Sequence, residues 1–319
     1  AFCNQVLKKY PKVSKIIILS RDEFKQDEMK NNLPKKFLNK FRFFIGDIRD
    51  GERLKRAFHK IDYVIHAAAL KQVPAAEYNP TEFVKTNIIG SQNIIEAAID
   101  TKVKKVIALS TDKAASPINL YGATKLCSDK LFVAANNYAG AGNYKFSIVR
   151  YGNVLGSRGS IIPYLLKTSK KGHVNITDLG MTRFNITLQE SVKMVLFALN
   201  ESNGGEIFVP KIPSYRLKDL VKAVSPNCKV NIIGIRPGEK TNEEMITSSD
   251  SFNTIDIGKY FIILPSSNKK LLNKISQKFK VKKFPKNTSY NSGTNKKFLS
   301  IFELRKMIKE NIDKNFSPF

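Results

Sequence analysis

Short apolar runs alternate with longer amphipathic stretches along the first two thirds of the chain. The apolar runs are rich in β-branched and aromatic residues, which is typical of strands buried on both faces. The stretches between them repeat apolar residues at helical spacing. This alternation predicts an α/β fold with a doubly wound parallel sheet. The predicted strands are Lys15–Ser20, Phe41–Ile45, Asp62–Ala67, Lys105–Ser110 and Phe146–Arg150, and the clearest predicted helices are Thr81–Ile99 and Tyr121–Asn136.

Beyond Tyr151 the spacing becomes irregular, which predicts a smaller second domain. We expect residues 1–152 to form the doubly wound domain, and residues 153–265 to form mainly the second domain, with some segments returning to the first. Residues 266–319 carry fourteen Lys and Arg against three Asp and Glu, and we expect a basic C-terminal extension there. The predicted elements are strands Glu206–Val209, Val230–Ile233 and Tyr260–Leu264, and helices Leu188–Leu199, Leu217–Ala223 and Ser300–Ile312.

The start of the chain differs from that of a complete doubly wound domain. A helix-like segment, Ala1–Tyr10, leads directly into the strand KIIILS and the residues RDE. In dinucleotide-binding sheets the residue that selects the ribose follows the second strand. We therefore expect Lys15–Ser20 to be the second strand. The first strand and its glycine-rich turn, roughly 20 residues, would then precede Ala1 in an N-terminally truncated sequence.

Basic residues dominate the charge of the 319-residue chain. Fifty-four Lys and Arg against 27 Asp and Glu give a net charge of +27. An excess of positive charge is typical of proteins that bind nucleic acid, but no helix-turn-helix, zinc-finger or RNP signature is present. Three distant cysteines argue against a disulfide framework or a metal site. No apolar run approaches the ~20 residues of a membrane span, and no signal peptide opens the chain. We expect a cytoplasmic protein with neither nucleic acid nor a membrane as partner.

The block Ser110–Lys125, STDKAASPINLYGATK, carries most of the candidate chemistry. Tyr121 and Lys125 fall on one helix face, where the lysine would lower the phenol pKa and so favour proton exchange with a substrate hydroxyl. Asp112 and Lys113 follow a predicted strand at the edge where ligands bind, and they place an acid beside a base. Each pair alone is compatible with chance or with a solvated loop. Their joint position after one strand favours an active site.

Several segments of the chain resemble the extended short-chain dehydrogenase/reductases, among them HAAALKQVPAAEYNP, IALSTDKAASPINLYGATKLCSDKLF, VRYGNVLGSRGS and IGIRPGEK. More narrowly, the chain looks like the inverting UDP-N-acetylglucosamine 4,6-dehydratases of pseudaminic acid biosynthesis. Retaining dehydratases usually have Asp-Glu where this chain has Asp112-Lys113, and ordinary epimerases lack that pair. The resemblance implies a Rossmann-like domain of the extended short-chain type that binds NADP, and a smaller domain that binds the UDP-sugar.

The family resemblance also implies a reaction and a role for each residue of the block. The expected reaction dehydrates UDP-N-acetylglucosamine with inversion at C5, giving UDP-4-keto-6-deoxy-L-arabino-hexosulose for surface glycans. Tyr121, held by Lys125, would remove a hydroxyl proton as hydride leaves to NADP, and Thr111 would orient that hydroxyl. Lys113 would abstract the C5 proton and Asp112 would protonate the leaving C6 hydroxyl. A lysine needs a lowered pKa for this, which we expect from burial and nearby cations.

Cofactor contacts follow from position in the same fold. Arg21 stands where NAD-selective proteins carry an acid, so we expect NADP, with Lys25 assisting at the 2′-phosphate. Asp47 resembles the family's adenine contact, and an N-cap of the following helix is the alternative. The predicted cofactor residues are Arg21, Lys25, Asp47, Ile48, Ala67, Ala68, Tyr121, Lys125 and Val154.

Substrate contacts are expected on the second domain and around the cleft. Asn153 matches a family contact to the sugar, and Arg236 and Glu239 match its diphosphate and ribose contacts. Arg183 is a further diphosphate candidate, and Lys71 would reach cofactor or sugar. A solvated surface position is the alternative for each lone Arg or Lys. We expect a homo-oligomer, as in many relatives of this type.

Three other functions stay open at this point. A UDP-sugar 4-epimerase would share Tyr121 and Lys125 but is disfavoured by Asp112-Lys113. A truncated, inactive homologue would retain the motifs without turnover. A basic nucleic-acid-binding protein would explain the charge but none of the motifs.

Overall fold

The computed structural model describes residues 1–140, 143–265 and 269–319. The first three residues of the predicted basic extension, 266–268, lie outside the described residues. The helices are α1 Phe2–Lys9, α2 Glu23–Asn31, α3 Gly51–Phe58, α4 Val73–Tyr78, α5 Pro80–Phe83, α6 Gly90–Asp100, α7 Leu120–Tyr138, α8 Ile161–Thr168, α9 Leu188–Glu201, α10 Leu217–Val224, α11 Lys269–Ser276 and α12 Ile301–Asn311. The strands are β1 Ile16–Ser20, β2 Phe41–Ile45, β3 Tyr63–His66, β4 Lys105–Thr111, β5 Lys145–Tyr151, β6 Asn153–Val154, β7 His173–Ile176, β8 Thr182–Ile186, β9 Ile207–Pro210, β10 Ser214–Arg216, β11 Lys229–Ile232, β12 Glu244–Ile246, β13 Thr254–Asp256, β14 Tyr260–Ile263, β15 Lys282–Lys283 and β16 Tyr290–Asn291.

A seven-stranded sheet in the order β15-β13-β14-β9-β5-β4-β3 forms the centre of the larger domain. Strands β3, β4, β5 and β9 are parallel, and β14, β13 and β15 extend the sheet in antiparallel pairs. Side chains of a strand alternate between the faces. Ile148 of β5 therefore packs with α3, α6 and α7, whereas Val149 packs with α9 and α11. Helices cover both faces, so the predicted α/β class is confirmed.

Strands β1 and β2 form a separate parallel pair, with Ile16 opposite Phe41. They pack with α1 around Leu7 and Leu33. In the described residues neither strand is hydrogen-bonded to the seven-stranded sheet. The preceding strand expected ahead of Ala1 remains a prediction.

A second core joins α8, β7, α10 and α12, with Leu165, Leu220 and Leu304 fully buried in it. The basic segment 269–319 contributes to both cores: Ile275 of α11 packs on the large sheet, and Ile308 of α12 packs in the second core. The proposed domain limits stay a prediction, but this segment packs against folded structure along its length. Along the described residues, no helix is long and apolar enough to cross a membrane.

The strands predicted before Tyr151 are present with their ends within one residue of the prediction. The predicted helix Thr81–Ile99 is instead interrupted by a π-helical segment, Val84–Ile89. This segment carries the buried side chain of Asn87, whose Oδ1 accepts from the Leu70 backbone N–H at 2.9 Å and whose Nδ2 donates to the Leu70 carbonyl at 2.9 Å. Single π-helical turns inside helices are frequent at functional sites. Here the turn fixes the loop that follows β3.

Candidate active site

The carboxyl end of β4 leads into a tight turn, Asp112–Ala114, that presents the acid–base pair. The Thr111 hydroxyl donates to Oδ1 of Asp112 at 2.9 Å and accepts from the Lys113 backbone N–H at 3.4 Å. Asp112 is fully buried, and its Oδ2 has no hydrogen-bond partner. The threonine therefore positions the acid of the pair, in addition to any contact with a sugar.

Lys113 bridges two carboxylates. Its Nζ lies 3.1 Å from Oδ1 of Asp112 and 3.1 Å from Oε1 of Glu243. Burial alone would lower the pKa of Lys113, but the charges of Asp112 and Glu243 outweigh burial and raise this pKa above its usual value. The expectation of a lowered lysine pKa is therefore wrong for this arrangement, because a carboxylate from a distant part of the chain faces the ammonium.

Two glycines allow the backbone to close around this turn. A Cβ on Gly122 would lie 2.3 Å from the Lys113 carbonyl oxygen, so α7 begins directly against the turn only because that side chain is absent. A Cβ on Gly152 would lie 2.5 Å from Cβ of Phe184 and 3.2 Å from Oδ2 of Asp112. The motifs Y-G-A-T-K and R-Y-G-N thus place their functional side chains through close backbone contact.

Tyr121 and Lys125 both lie on the buried face of α7. Burial raises the pKa of the Tyr121 phenol, and the nearby Lys113 charge and a hydrogen bond with Thr111 oppose that rise. Lys125 donates from Nζ to the Leu109 carbonyl at 3.0 Å. The sequence argument assigned the lowering of the phenol pKa to Lys125. In the structure that assignment is wrong, because the opposing cation is Lys113 and the net shift is upward.

Behind these residues lies a buried polar network that sequence reasoning missed. Asp129 of α7 accepts from the Ser110 hydroxyl at 2.9 Å and pairs with Nη2 of Arg150 at 3.1 Å. Arg150 also donates from Nη1 to the Met245 carbonyl at 3.0 Å. The network joins β4, β5, α7 and β12 beside the Asp112–Ala114 turn. The sequence places Asp129 four residues after Lys125 on the same helix face, but it does not indicate that Arg150 is the partner of Asp129.

Charged residues of the predicted substrate side meet at one corner of the cleft. Arg183 lies 3.7 Å from a carboxylate oxygen of Glu239 and 3.8 Å from one of Glu243. The Arg236 side chain is exposed, and its backbone N–H donates to Glu239 at 3.4 Å. Asn119, the N-cap of α7, donates to the Gly238 carbonyl at 2.7 Å. The segment RPGEK is thereby tied to the helix that carries Tyr121.

Asn153 and Lys71 border the same cleft through different partners. The Asn153 side chain hydrogen-bonds with the buried Tyr215 phenol, and Val154 of β6 pairs with Ile186 of β8. Lys71 donates from Nζ to the Arg158 carbonyl at 2.9 Å. These contacts tie the segment after β3 to the segment after β6, and tie β6 to β10.

Six of the nine predicted cofactor residues follow the carboxyl ends of β1, β2 and β3, whereas Tyr121 and Lys125 lie on α7 and Val154 lies on β6. Arg21 is half-exposed, and its guanidinium makes only a long contact of 3.5 Å with Asp47. Asp47 receives shorter hydrogen bonds from Arg49, at 2.9 Å from both its backbone N–H and Nε. Burial would raise the pKa of Asp47, but these bonds and the Arg49 charge outweigh it and lower this pKa. The helix N-cap is Asp50, so the alternative role for Asp47 is excluded.

The remaining predicted cofactor residues differ in the exposure of their side chains. Lys25 forms an exposed pair with Asp22 at 2.5 Å. Ala67 and Ala68 are exposed just after β3. Ile48, in contrast, packs in the core against Gly90, where a Cβ would lie 2.7 Å from Cδ1 of Ile48. The Ile48 side chain is therefore part of the core, and a bound cofactor would meet only the backbone of this residue.

Comparison with known proteins gives the family of the chain. The profile described as "Polysaccharide biosynthesis protein" matches residues 1–265. The chain belongs to this polysaccharide biosynthesis protein family. An inverting UDP-N-acetylglucosamine 4,6-dehydratase of Campylobacter jejuni (serotype O:23/36, strain 81-176) is 55% identical over 265 residues, which are 82% of this chain and 78% of that protein. A UDP-glucose 4-epimerase of Rickettsia prowazekii (strain Madrid E) is 42% identical over 275 residues, covering 82% and 80% of the two chains.

Solved structures agree with the fold. The X-ray structure of Pen from Bacillus thuringiensis matches with a TM-score of 0.86 and 38% identity, over 97% of this chain and 93% of that one. A dTDP-glucose 4,6-dehydratase from Streptomyces venezuelae, solved with NAD bound, matches with a TM-score of 0.65 over 75% and 82% of the chains. At 21% identity it supports the fold alone. The family expected from the sequence motifs is confirmed.

Proposed function

We propose that the chain dehydrates UDP-N-acetylglucosamine across C5 and C6 with inversion at C5. The observation that carries this proposal is the Asp112-Lys113 turn, which places an acid and a base beside the buried Tyr121 phenol. A 4-epimerase needs the phenol but has no use for a second acid–base pair. The 55% identity with a protein named as the inverting dehydratase supports the same conclusion.

Each residue of the site has a task in this reaction. Bound NADP would supply the hydride acceptor at C4 and the hydride donor at C6. Tyr121 takes the proton of the C4 hydroxyl, and Lys125 contributes positive charge on the same helix. Lys113 takes the C5 proton, and Asp112 gives a proton to the departing C6 hydroxyl. Because the neighbouring charges of Asp112 and Glu243 raise the pKa of Lys113 and so favour the ammonium, the lysine must lose a proton before it can accept one.

We propose NADP rather than NAD as the cofactor. The residues fit a 2′-phosphate: Arg21 follows β1 with its guanidinium half-exposed and weakly engaged. The acid next in sequence, Asp22, caps α2 and pairs with Lys25, so it is not free to accept a ribose hydroxyl. Arg21→Glu is expected to raise the KM for NADP at least tenfold relative to NAD, whereas Lys12→Glu, on an exposed turn, serves as the control.

The product and its deuterium content test the proposed reaction. The protein is incubated with NADP and UDP-N-acetylglucosamine in D₂O and followed by proton NMR. We expect a 4-keto-6-deoxy sugar with deuterium at C5 and inverted stereochemistry there. Formation of the C4 epimer without any keto sugar, or no turnover at all, would overturn the proposal. Retained stereochemistry at C5 would contradict the inverting assignment alone.

The 4-epimerase remains the second candidate because relatives with that name are 42% identical. It predicts UDP-N-acetylgalactosamine as the product and no effect of Lys113→Met on turnover. The homo-oligomer, the cytoplasmic location and a place in pseudaminic acid biosynthesis remain predictions.

A further inference from the structure

Glu243 stands out as a buried acid that the sequence motifs do not include. Its side chain is 3% exposed and Oε1 lies 3.1 Å from Nζ of Lys113. The other oxygen, Oε2, is buried with no hydrogen-bond partner. An ionised carboxylate with a bare buried oxygen is costly, whereas a protonated one is not. The site thus holds an acid that has room to accept a proton.

The backbone around Glu243 holds this side chain in place. Its N–H donates to the Ser292 hydroxyl at 2.8 Å, and its carbonyl accepts from the Ser292 N–H at 2.8 Å. Ser292 is fully buried and also hydrogen-bonds the Thr182 hydroxyl at 2.7 Å. The backbone of Glu243 is therefore fixed by two hydrogen bonds to a buried residue, unlike that of a glutamate on a surface loop.

The charges around Lys113 explain why such an acceptor is needed. The Lys113 ammonium lies between the buried carboxyl groups of Asp112 and Glu243, and each of these groups favours the ammonium form while it is ionised. Burial, opposed by the Lys113 charge, raises the pKa of Glu243. Besides these three residues, the groups that face the pair are Tyr121 from α7, Arg183 from β8 and Tyr215 from β10.

We propose that Glu243 is a positioning residue that takes a proton from Lys113 and so frees the lysine amine to act as the C5 base. The inference rests on the proposed function. Among the described residues, no other group near Nζ is both close enough and able to take the proton: Asp112 is reserved for the C6 hydroxyl, and Arg183 and the two phenols do not take up a proton at neutral pH.

The step starts from the form in which Asp112 has gained a proton and Glu243 is ionised. From that form the proton balance closes within Lys113, Asp112 and Glu243. An N–H bond of Lys113 breaks and an O–H bond forms on Glu243. The free amine then takes the C5 proton, and the electron pair of that C–H bond forms the C5–C6 double bond. The C6–O bond breaks, and the departing oxygen takes the carboxyl proton of Asp112 and leaves as water. The three residues carry the same number of protons before and after.

The test is Glu243→Gln, which keeps the size and a hydrogen bond to Lys113 but cannot store a proton. We expect dehydration and deuterium entry at C5 to fall by about 10²-fold or more, the size of a lost proton-transfer function. Oxidation at C4, seen as absorbance of the reduced nicotinamide in a single turnover, should persist. If the wild-type protein itself shows no oxidation at C4, the proposed function has failed, and the result says nothing against the role of Glu243 alone.

The pH profile separates proton storage from a merely structural role. In Glu243→Gln the lysine must lose its proton to solvent, so log kcat should rise with pH at a slope near one. The wild-type protein should lack this rise at neutral pH. The matched control is Glu244→Gln, which should lack it too, because Glu244 accepts a hydrogen bond from Ser116 at 3.0 Å instead of facing Lys113. Glu243→Asp should restore part of the rate.

Two results would overturn the proposal. One is full dehydration activity in Glu243→Gln. The other is equal loss of C4 oxidation and dehydration at every pH, with no recovery in Glu243→Asp, because that pattern describes a structural anchor. Thermal unfolding of each variant shows whether it is folded, and Glu243→Asp carries the test if the glutamine variant is not.

Discussion

Arg150 offers the sharpest test of how the site is supported. Its side chain and that of Asp129 are each only 3% exposed, and their charged atoms lie 3.1 Å apart. In Arg150→Met the long apolar stem is kept while the charge is removed. Asp129 is then left buried with the Ser110 hydroxyl as its nearest described partner, at 2.9 Å.

The size of the effect follows from these contacts. Removing one partner of a buried ion pair costs about 3–5 kcal/mol, because the other charge stays buried. Loss of the hydrogen bond to the Met245 carbonyl adds about 1 kcal/mol. We expect Arg150→Met to lower the free energy of unfolding by about 4–6 kcal/mol, a large share of the roughly 5–15 kcal/mol of a typical protein.

Equilibrium unfolding in urea measures this change. The double variant Arg150→Met/Asp129→Leu should recover more than half of the loss, because the buried Asp129 charge is removed together with its partner. The second carboxylate near Arg150, that of Asp250 at 3.5 Å, is partly exposed to water and so costs less when it is left alone. Lys104→Met serves as the control: it breaks the exposed pair with Asp62 at 2.7 Å and should leave the free energy of unfolding nearly unchanged. A loss below about 1 kcal/mol in Arg150→Met, or a double variant weaker than the single one, would refute the reasoning.

Three further predictions concern chemistry, loop position and pH. Lys113→Met should abolish deuterium entry at C5, measured by NMR, while C4 oxidation continues; deuterium entry at the wild-type rate would remove lysine as the base. Asn87→Ala should raise the cofactor KM severalfold, since both hydrogen bonds to Leu70 are lost, and an unchanged KM would contradict the role of that turn. Burial and the Lys125 charge lower the pKa of His66 to about 3. The unfolded chain therefore binds the extra proton below about pH 6.5, so moving from pH 7 to pH 5 should cost about 2 kcal/mol of stability, a loss that His66→Gln should remove in urea titrations.

Much of the fold was predictable because its strands are continuous apolar runs. The ends of β2 agree with the prediction, β4 extends one residue further at its carboxyl end, and β5 extends one residue further at both ends. The helix after β3 was predicted as regular because a π-helical turn leaves the apolar spacing nearly unchanged. The π-helical segment carries Asn87, whose side chain accepts one hydrogen bond from Leu70 and donates another to it, and no local pattern encodes this contact.

The candidate site was only partly predictable, for a related reason. Asp112, Lys113 and Tyr121 lie close together in sequence and in the structure. Glu243 lies far along the chain beside a second glutamate, Glu244, and nothing in the sequence distinguishes the two. The charges of Asp112 and of that distant carboxylate raise the pKa of Lys113, so the expectation from burial and nearby cations had the opposite sign.

The path of the last fifty residues limits how the cleft can open. The chain leaves α11 on the large sheet and places Phe284 in the core of that sheet. It then binds the cleft-side segment Ile212–Ser214 through Tyr290 and Asn295, and ends with α12 in the second core. A hinge rotation that separated the two cores would have to break the packing of this segment in one of them. Substrate entry is therefore better served by small loop displacements at the rim than by a wide clamshell motion.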